Sequence, residues 1–128
     1  MQLNIDCVRD ILLSVEAKDF GKIFTVDCLL EILPQYQEDE ITYACLKLGE
    51  AGMLDISAAK YLGSEVPGIK SIRELTYSGH QFLENIKSDN NWSKTKEIAK
   101  SVGSSSIDTV KQIAVGVISS VIQSHLQI

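Results

Sequence analysis

Three cysteines and two histidines are the side chains of this sequence that could bind a metal ion or supply a nucleophile and a base. They are Cys7, Cys28, Cys45, His80 and His125, and each stands more than 15 residues from the next. Structural zinc sites take their ligands from short paired spacings, so we expect no metal site. Each cysteine also lies in an apolar pattern typical of a small buried side chain, which argues against a nucleophilic pair such as Cys45 and His80.

Phosphate-binding loops are also missing from the sequence. Neither G-x-x-x-x-G-K-[ST] nor G-x-G-x-x-G occurs. His80 follows Gly79, and we expect its side chain to hydrogen-bond to neighbouring backbone or to pack at the base of a predicted hairpin. The sequence therefore predicts a protein that is not an enzyme, with no catalytic residues and no cofactor.

Composition and cysteine usage indicate one ordinary globular chain in a reducing compartment. The 128 residues are 45% hydrophobic and 23% charged, and three widely spaced cysteines do not suggest a disulfide framework. The chain begins MQLNID without a basic leader region, and no stretch approaches the roughly 20 apolar residues of a membrane-spanning helix. We expect a cytoplasmic protein without a membrane segment.

Charge is unevenly distributed along the chain, whose net charge is −5. Residues 1 to 56 hold four basic and eleven acidic side chains, a net of −7, whereas residues 57 to 128 have a net of +2. The basic residues of the second half gather around one predicted helix, which includes Lys94, Lys96 and Lys100. An acidic balance disfavours binding to nucleic acid without excluding it.

Hydrophobic spacing predicts helices over residues 5–17 and 38–51, and leaves residues 22–33 ambiguous between strand and helix. We favour a short strand followed by a short helix for that ambiguous segment. Residues 53–75 are typical of a hairpin with a loose loop. Thr76 or Ser78 then caps a helix that ends near Ile86.

Two further helices are predicted, one from Trp92 to about Ser101 and a terminal one over residues 106–126, separated by the linker Gly103 to Ser106. The fold class is mainly α with a small β hairpin (α+β). The order of elements is that of a winged helix-turn-helix domain over residues 1–88, followed by a C-terminal helical extension over residues 89–128. Topology of this kind does not establish a function.

Several strings of the sequence carry a family resemblance. They are MQLNIDCVRDILL at residues 1–13, EAGML at residues 50–54, and LTYSGHQFLENI at residues 75–86 followed by Trp92 and Lys96. Together they resemble a bacterial and phage domain family of unknown function, from residue 2 to about residue 125. The resemblance implies a small cytoplasmic accessory protein of prophages and mobile elements, with no catalytic residues to transfer. The family tends to have His after the tyrosine of the second motif helix, whereas here Tyr43 is followed by Ala44.

The second motif helix is poorly suited to reading DNA, which requires Arg, Lys, Asn or Gln at base edges and phosphates. Its candidate partner-binding residues are Glu38, Asp39, Glu40, Tyr43 and Lys47. Carboxylates repel the phosphate backbone, so these residues favour a basic protein partner. The predicted wing is better suited to DNA because it carries Lys60, Lys70 and Arg73.

The terminal helix has an apolar face that covers about half of its circumference, and its polar half carries no charge. The candidate dimerisation residues are Ile107, Val110, Ala114, Val117, Ile118 and Val121. We expect a homodimer through this face, with packing onto the first helix of the same chain as the main alternative. Membrane-surface binding is disfavoured because Lys111 alone flanks the apolar face.

Two functions remain open at this point. The one we favour is a non-enzymatic module, of phage or mobile-element type, that binds and modulates a host or defence protein. The alternative is a dimeric winged-helix DNA-binding transcriptional regulator. The acidity of the second motif helix supports the former, whereas the element order and a dimerising helix support the latter.

Overall fold

The computed structural model describes residues 1–59, 63 and 68–127 of the chain. The elements, in chain order, are α1 (Ile5–Ala17), α2 (Val26–Ile32), α3 (Glu38–Glu50), β1 (Leu54–Ala59), β2 (Gly68–Leu75), α4 (Tyr77–Ile86), α5 (Asp89–Val102) and α6 (Ile107–Leu126). The described residues are therefore mainly helical with one antiparallel hairpin, which confirms the predicted fold class. The winged helix-turn-helix interpretation of this order stays a prediction.

Helix α1 is the central element of the first half. Asn4 caps it, because the Asn4 side chain accepts hydrogen bonds from the backbone N–H groups of Asp6 and Cys7. Its buried side chains recur at helical spacing, and they are Cys7, Val8, Ile11, Leu12 and Val15. This stripe is the one that the sequence pattern predicts, and it packs against α2, α3, α4 and β2.

Residues 22–33 contain the helix α2 (Val26–Ile32), which follows a single residue, Phe24, in a β-bridge. Phe24 exchanges two backbone hydrogen bonds of 2.8 Å with Ile72 of β2, and no longer strand develops there. The reason is that Thr25, the very next residue, caps α2 by accepting a hydrogen bond from the N–H of Cys28. The predicted short strand is thus an isolated bridge, and the predicted short helix is confirmed.

The hairpin follows α3 after a tight turn in which Gly52 has a φ of +72°. Strand β1 pairs with β2 in antiparallel register, with Leu54 opposite Leu75 and Ala59 opposite Gly68. Two register irregularities interrupt the ladder between these ends. The predicted hairpin over residues 53–75 is confirmed at both of its ends, and its connecting residues lie outside the described part of the chain except Gly63.

The junction between the hairpin and α4 is closely packed. Thr76 caps α4 by accepting from the N–H of Gly79, and its hydroxyl donates to the carbonyl oxygen of Gly52. The backbone N–H of Thr76 also donates to the carbonyl oxygen of Met53 at 3.1 Å. An ideal Cβ on Gly79 would overlap that same Met53 carbonyl, so this position requires glycine.

Helices α5 and α6 form a helical hairpin that packs on the rest of the chain. Gly103, with a φ of +81°, ends α5, and the side chain of Ser106 caps α6 by accepting from the N–H of Thr109. α6 packs on both α4 and α5, and Trp92, Val110 and other buried residues of the hairpin belong to the same apolar core as α1. The domain division at residue 88 stays a prediction, although the core is continuous across it.

Candidate functional site

Helix α3 presents two carboxylates to solvent at its first turn. Glu38 and Asp39 are exposed and have no ion-pair partner among the described residues, and negative charge there is favourable to the start of a helix. Glu40 is different, because its carboxylate accepts hydrogen bonds from the N–H of Gln37 at 3.2 Å and from the side chain of Asn4 at 3.1 Å. Glu40 therefore connects the start of α3 to the start of α1. Its carboxylate, which was predicted to bind a partner, is used in these structural hydrogen bonds.

The middle of α3 carries Tyr43 and Lys47, which contact each other. The Lys47 ammonium lies 5.4 Å from the centre of the Tyr43 ring and 3.0 Å from a carboxylate oxygen of Glu50. The hydrogen bond that the Lys47 ammonium donates to the Glu50 carboxylate raises the pKa of Lys47 above its usual range, so this cation is already paired with a neighbouring acid.

The same face of α3 borders the beginning of α6. Tyr43, Lys47 and Glu50 line a groove of about 400 Å³ together with Ile107 and Asp108 of the first turn of α6. A duplex that approached this face would meet a second helix end and one more carboxylate. No local pattern of the sequence predicts this neighbour, because the contact requires α6 to return to the front half of the fold.

The basic residues predicted for the wing are only partly described. Lys70 and Arg73 are exposed on β2, and the Arg73 guanidinium lies 3.8 Å from the carboxylate of Asp55 on β1. Lys60 lies outside the described residues. In the described part of the hairpin, Lys70 therefore has no ion-pair partner, whereas Arg73 is paired with Asp55.

Four of the residues that belong to the strings of the family resemblance, Asp6, Arg9, Trp92 and Lys96, meet where α1 lies against α5. The indole N–H of Trp92 donates to the carboxylate of Asp6 at 2.9 Å, and the Lys96 ammonium lies 3.1 Å from the same oxygen. The cationic groups of Arg9 and Lys96 each lie 5.8 Å from the centre of the Trp92 ring.

Arg9 joins this cluster to the end of α4. Its guanidinium, 13% exposed, donates to the carbonyl oxygens of Ile86 and Lys87 at 3.0 and 2.7 Å and to the carboxylate of Asp89. Carbonyls at the end of a helix have no partner within the helix, and Arg9 supplies one. The cluster is therefore a structural connection between helices. It could not be predicted from the sequence because its partners are distant along the chain.

Tyr36 lines a surface groove together with Arg9 and Trp92 of this cluster, and its hydroxyl is hydrogen-bonded. The hydroxyl of Tyr36 donates to the carboxylate of Asp10 at 2.6 Å, and burial, followed by this hydrogen bond, raises the pKa of Tyr36 well above its usual range. The groove at this position measures about 410 Å³. No buried polar side-chain atom of the described residues lacks a hydrogen-bond partner, so nothing in this cluster points to a missing ligand.

The cysteines divide into two buried thiols and one accessible thiol. Cys7 and Cys45 are fully buried, and burial is the main cause that raises the pKa of each thiol to about 12. Cys28 is only partly covered, and a hydrogen bond from the Thr25 hydroxyl lowers its pKa. The nucleophilic thiolate is therefore disfavoured at Cys7 and Cys45, as the apolar sequence pattern predicts.

We expect one of the three thiols to react quickly with a small disulfide reagent in the folded protein. The fast reaction should belong to Cys28, because its thiol is only partly covered and its thiolate is favoured, whereas the buried pair should react only after unfolding. Absorbance on addition of the reagent, with and without denaturant, measures both phases. A fast phase that persists in Cys28→Ser would contradict this assignment.

The side chain of His80 lies beside Glu16 of α1. It is half-exposed, and its Nδ1 atom lies 3.9 Å from a carboxylate oxygen of Glu16. Glu16 also binds Lys87 at 2.7 Å. No hydrogen bond among the described residues joins the His80 side chain to Cys45.

The apolar stripe predicted for dimerisation is largely covered by the chain itself. Ile107, Val110, Ala114 and Val117 are at most 8% exposed, because α6 packs this stripe against α4 and α5. These four side chains are therefore not free contacts for a second chain, which corrects the sequence-based assignment. The main alternative placed α6 against α1 of the same chain, whereas the structure places it against α4 and α5. Only Ile118 and Val121 of the predicted set remain partly exposed.

A second surface feature of α6 was not predicted. A groove of about 670 Å³ runs between α5 and α6, lined by Lys94, Glu97 and Ile98 of α5 and by residues of α6 between Ile113 and His125. The signal in the sequence was the uncharged polar half of α6, but its pairing with α5 could not be read from the chain. The homodimer itself stays a prediction.

The described residues contain neither a cluster of metal ligands nor a membrane-spanning helix. No group of three or more His, Cys, Asp and Glu side chains is placed to hold a metal ion within the described ranges. None of the helices described here combines the length and the apolar character needed to cross a bilayer.

The described geometry defines a small helical α+β domain with two surface grooves on α6 and an acidic third helix. The chain belongs to the family described as hypothetical protein (DUF2513), whose sequence profile matches residues 2–106. It is also 28% identical over 120 residues to a protein of Haemophilus influenzae (strain ATCC 51907 / DSM 11121 / KW20 / Rd) that bears the name "Uncharacterized protein", which covers 93% of this chain and 97% of the relative. No solved structure matches the chain.

Proposed function

We propose that this protein is a non-enzymatic protein-binding module that presents the acidic surface of α2 and α3 to a basic partner. The observation that carries the proposal is the state of α3. Its exposed first-turn carboxylates, Glu38 and Asp39, are unpaired among the described residues, and its one cation, Lys47, is neutralised by Glu50. Surfaces of one charge sign steer and select partners of the opposite sign.

Helix α2 extends the same charge. Asp27 and Glu31 stand four residues apart, which places them on one side of the helix, and both are exposed without an ion-pair partner among the described residues. Ile32, 49% exposed, adds an apolar side chain beside these acids. A mixed acidic and apolar surface is suited to a protein partner, because apolar contacts supply affinity that charge alone does not.

The alternative function, a DNA-binding regulator, receives less support from the same helix. In a winged helix-turn-helix protein the helix before the wing enters the major groove. Here that helix is α3, and its Tyr43 and Lys47 face is bordered by the first turn of α6, including Asp108. Phosphate binding gains its free energy from cations that displace counterions, and this face has one paired lysine.

The resemblance to phage and mobile-element proteins supports a finer proposal, in which the partner is a host or defence protein whose activity is modulated. The three free thiols support a reducing, cytoplasmic setting for that encounter.

One experiment with two arms tests the proposal. In the first, fluorescence anisotropy with duplex DNA of random sequence should show weak binding at physiological salt. The slope of log affinity against log salt should correspond to fewer than about three neutralised phosphates. Tight binding with a steep slope, lost in Lys70→Glu with Arg73→Glu, would establish the DNA-binding alternative instead.

In the second arm, the protein captures partners from an extract of its natural host, and quantitative mass spectrometry compares variants. Reversal of two acids, Glu38→Lys with Asp39→Lys, should abolish a capture that the unmodified protein makes. The matched control, Asp19→Lys with Glu84→Lys, has the same net charge and alters exposed acids outside α2 and α3, so it should retain that capture. Equal capture by both double variants would reject the acidic surface as the binding site.

A further inference from the structure

The groove between α5 and α6 is an apolar channel on the surface of the described chain. Ile98, Ile113, Val117 and Val121 supply its apolar lining, and its volume is about 670 Å³. Along α6 the lining runs from Ile113 to His125, a length of about 18 Å at the rise of an α-helix. These dimensions fit a few turns of one additional helix.

Small side chains allow a helix to come close along this groove. Gly116, Ser120 and Ser124 follow one another at intervals of four residues and all line the groove. A Cβ built on Gly116 would meet no atom within 4 Å, which shows open space above this ridge. From residue 112 to residue 124, moreover, α6 carries no charged side chain, so no ammonium or carboxylate of α6 must be desolvated there.

The same two helices also expose more apolar surface than the rest of the fold suggests. Half of the ten large apolar side chains that are exposed in the described part of the chain lie on α5 and α6, and they are Ile98, Val102, Val115, Ile122 and Leu126. In addition, no residue from 118 to 126 is fully buried. Of these five side chains Ile98 lines the groove and adds to its apolar lining, whereas Val102, Val115, Ile122 and Leu126 lie outside it.

Three titratable side chains, Lys94, Glu97 and His125, line the groove, and the two that stand towards its ends indicate what fills it. Glu97 lies towards the α5–α6 turn, with Ile113, whereas His125 lies at the far end of α6. Glu97 has no ion-pair partner among the described residues, and neither has His125. A two-fold axis across the middle of the groove exchanges its ends, and so brings a carboxylate to an imidazole twice.

We propose that the groove is filled by α6 of a second copy of this chain. The two α6 helices run antiparallel, cross close to Ser120, and each lies in the groove between α5 and α6 of the other protomer. Glu97 then faces the partner's His125 on both sides of the axis. The contact is isologous and closes as a dimer. It leaves the acidic surface of α2 and α3 out of the argument, so it does not depend on the proposed protein-binding function.

Sedimentation equilibrium at tens of micromolar tests the proposal directly. The unmodified protein should be a dimer, and Ser120→Arg should raise the dimer dissociation constant about a hundredfold or more, because two arginines would be buried together at the axis. Ser119→Arg is the matched control, since Ser119 is equally exposed but does not line the groove, and it should remain dimeric. Circular dichroism checks that both variants are folded.

A charge exchange tests the orientation without relying on Ser120. Glu97→Lys removes the carboxylate that faces the partner's His125, and His125→Glu places two carboxylates in contact, in both cases twice because of the two-fold axis. Each single variant should therefore raise the dissociation constant of the dimer about tenfold. The double variant restores opposite charges and should regain the original value. A monomeric unmodified protein, equal effects of the two serine variants, or a double variant weaker than either single one would each overturn the proposal. A monomer would leave the groove to a helix of another protein.

Discussion

Gly79→Ala is expected to destabilise the protein by roughly 3 kcal/mol or more, or to prevent folding altogether. The added methyl group would overlap the carbonyl oxygen of Met53, which is backbone and cannot rotate away as a side chain would. The backbone N–H of Thr76 donates a hydrogen bond of 3.1 Å to this carbonyl and holds it in place. A loss of this size is a large part of the 5 to 15 kcal/mol that typically separates folded from unfolded states.

Urea denaturation followed by circular dichroism measures this loss. Ser78→Ala is the control, because Ser78 is the preceding, exposed residue of α4, and its change should stay within about 0.5 kcal/mol. A Gly79→Ala variant with an unchanged denaturation midpoint would show that α4 does not approach Met53 as closely as described.

Arg9→Met should destabilise the protein by about 3 kcal/mol. The methionine keeps an apolar stem of similar length but removes the donors that serve the carbonyl oxygens of Ile86 and Lys87 at the end of α4. The hydrogen bond to the Ile86 carbonyl is part-buried, and loss of a charged donor there costs more free energy than a surface ion pair provides.

Asp89 separates the two contributions of Arg9. Its carboxylate is 99% exposed, so the ion pair is screened by water, and Asp89→Asn should cost less than about 1 kcal/mol. Thermal or urea unfolding of both variants decides the matter. Equal losses would mean that the ion pair, and not the capping of α4, is what Arg9 contributes.

Signals that act over a few residues made much of this fold predictable. Thr76 and Ser106 are polar residues placed just before apolar helical patterns, and both cap the predicted helices. The apolar stripe of α1 and the hairpin over residues 53–75 follow likewise from periodicity and turn composition. The strand expected before Val26 shrank to one bridge because the capping residue Thr25 left no room for it.

Features that depend on distant partners could not be predicted. Arg9 and the carbonyl of Ile86 are 77 positions apart, and nothing local in either segment marks them as a pair. The burial of Val110 and Ala114 also depends on how α6 lies against α4, so an apolar stripe alone could not distinguish a core contact from a dimer contact. The acidic residues of the candidate site could be listed from the sequence. The two grooves on α6 could not, because each is formed by elements whose packing the sequence does not show.

The connection of α1 to α5 sets an order of events when the chain is synthesised. Asp6 and Arg9 emerge from the ribosome first, but Trp92 and Asp89 follow only after about eighty further residues, which takes several seconds at ordinary elongation rates. During that interval α1 has only part of its final contacts, and the end of α4 awaits residues that are still to be added. A nascent chain that stalls near residue 88 would therefore hold a first helix that lacks its contacts with Asp89 and Trp92.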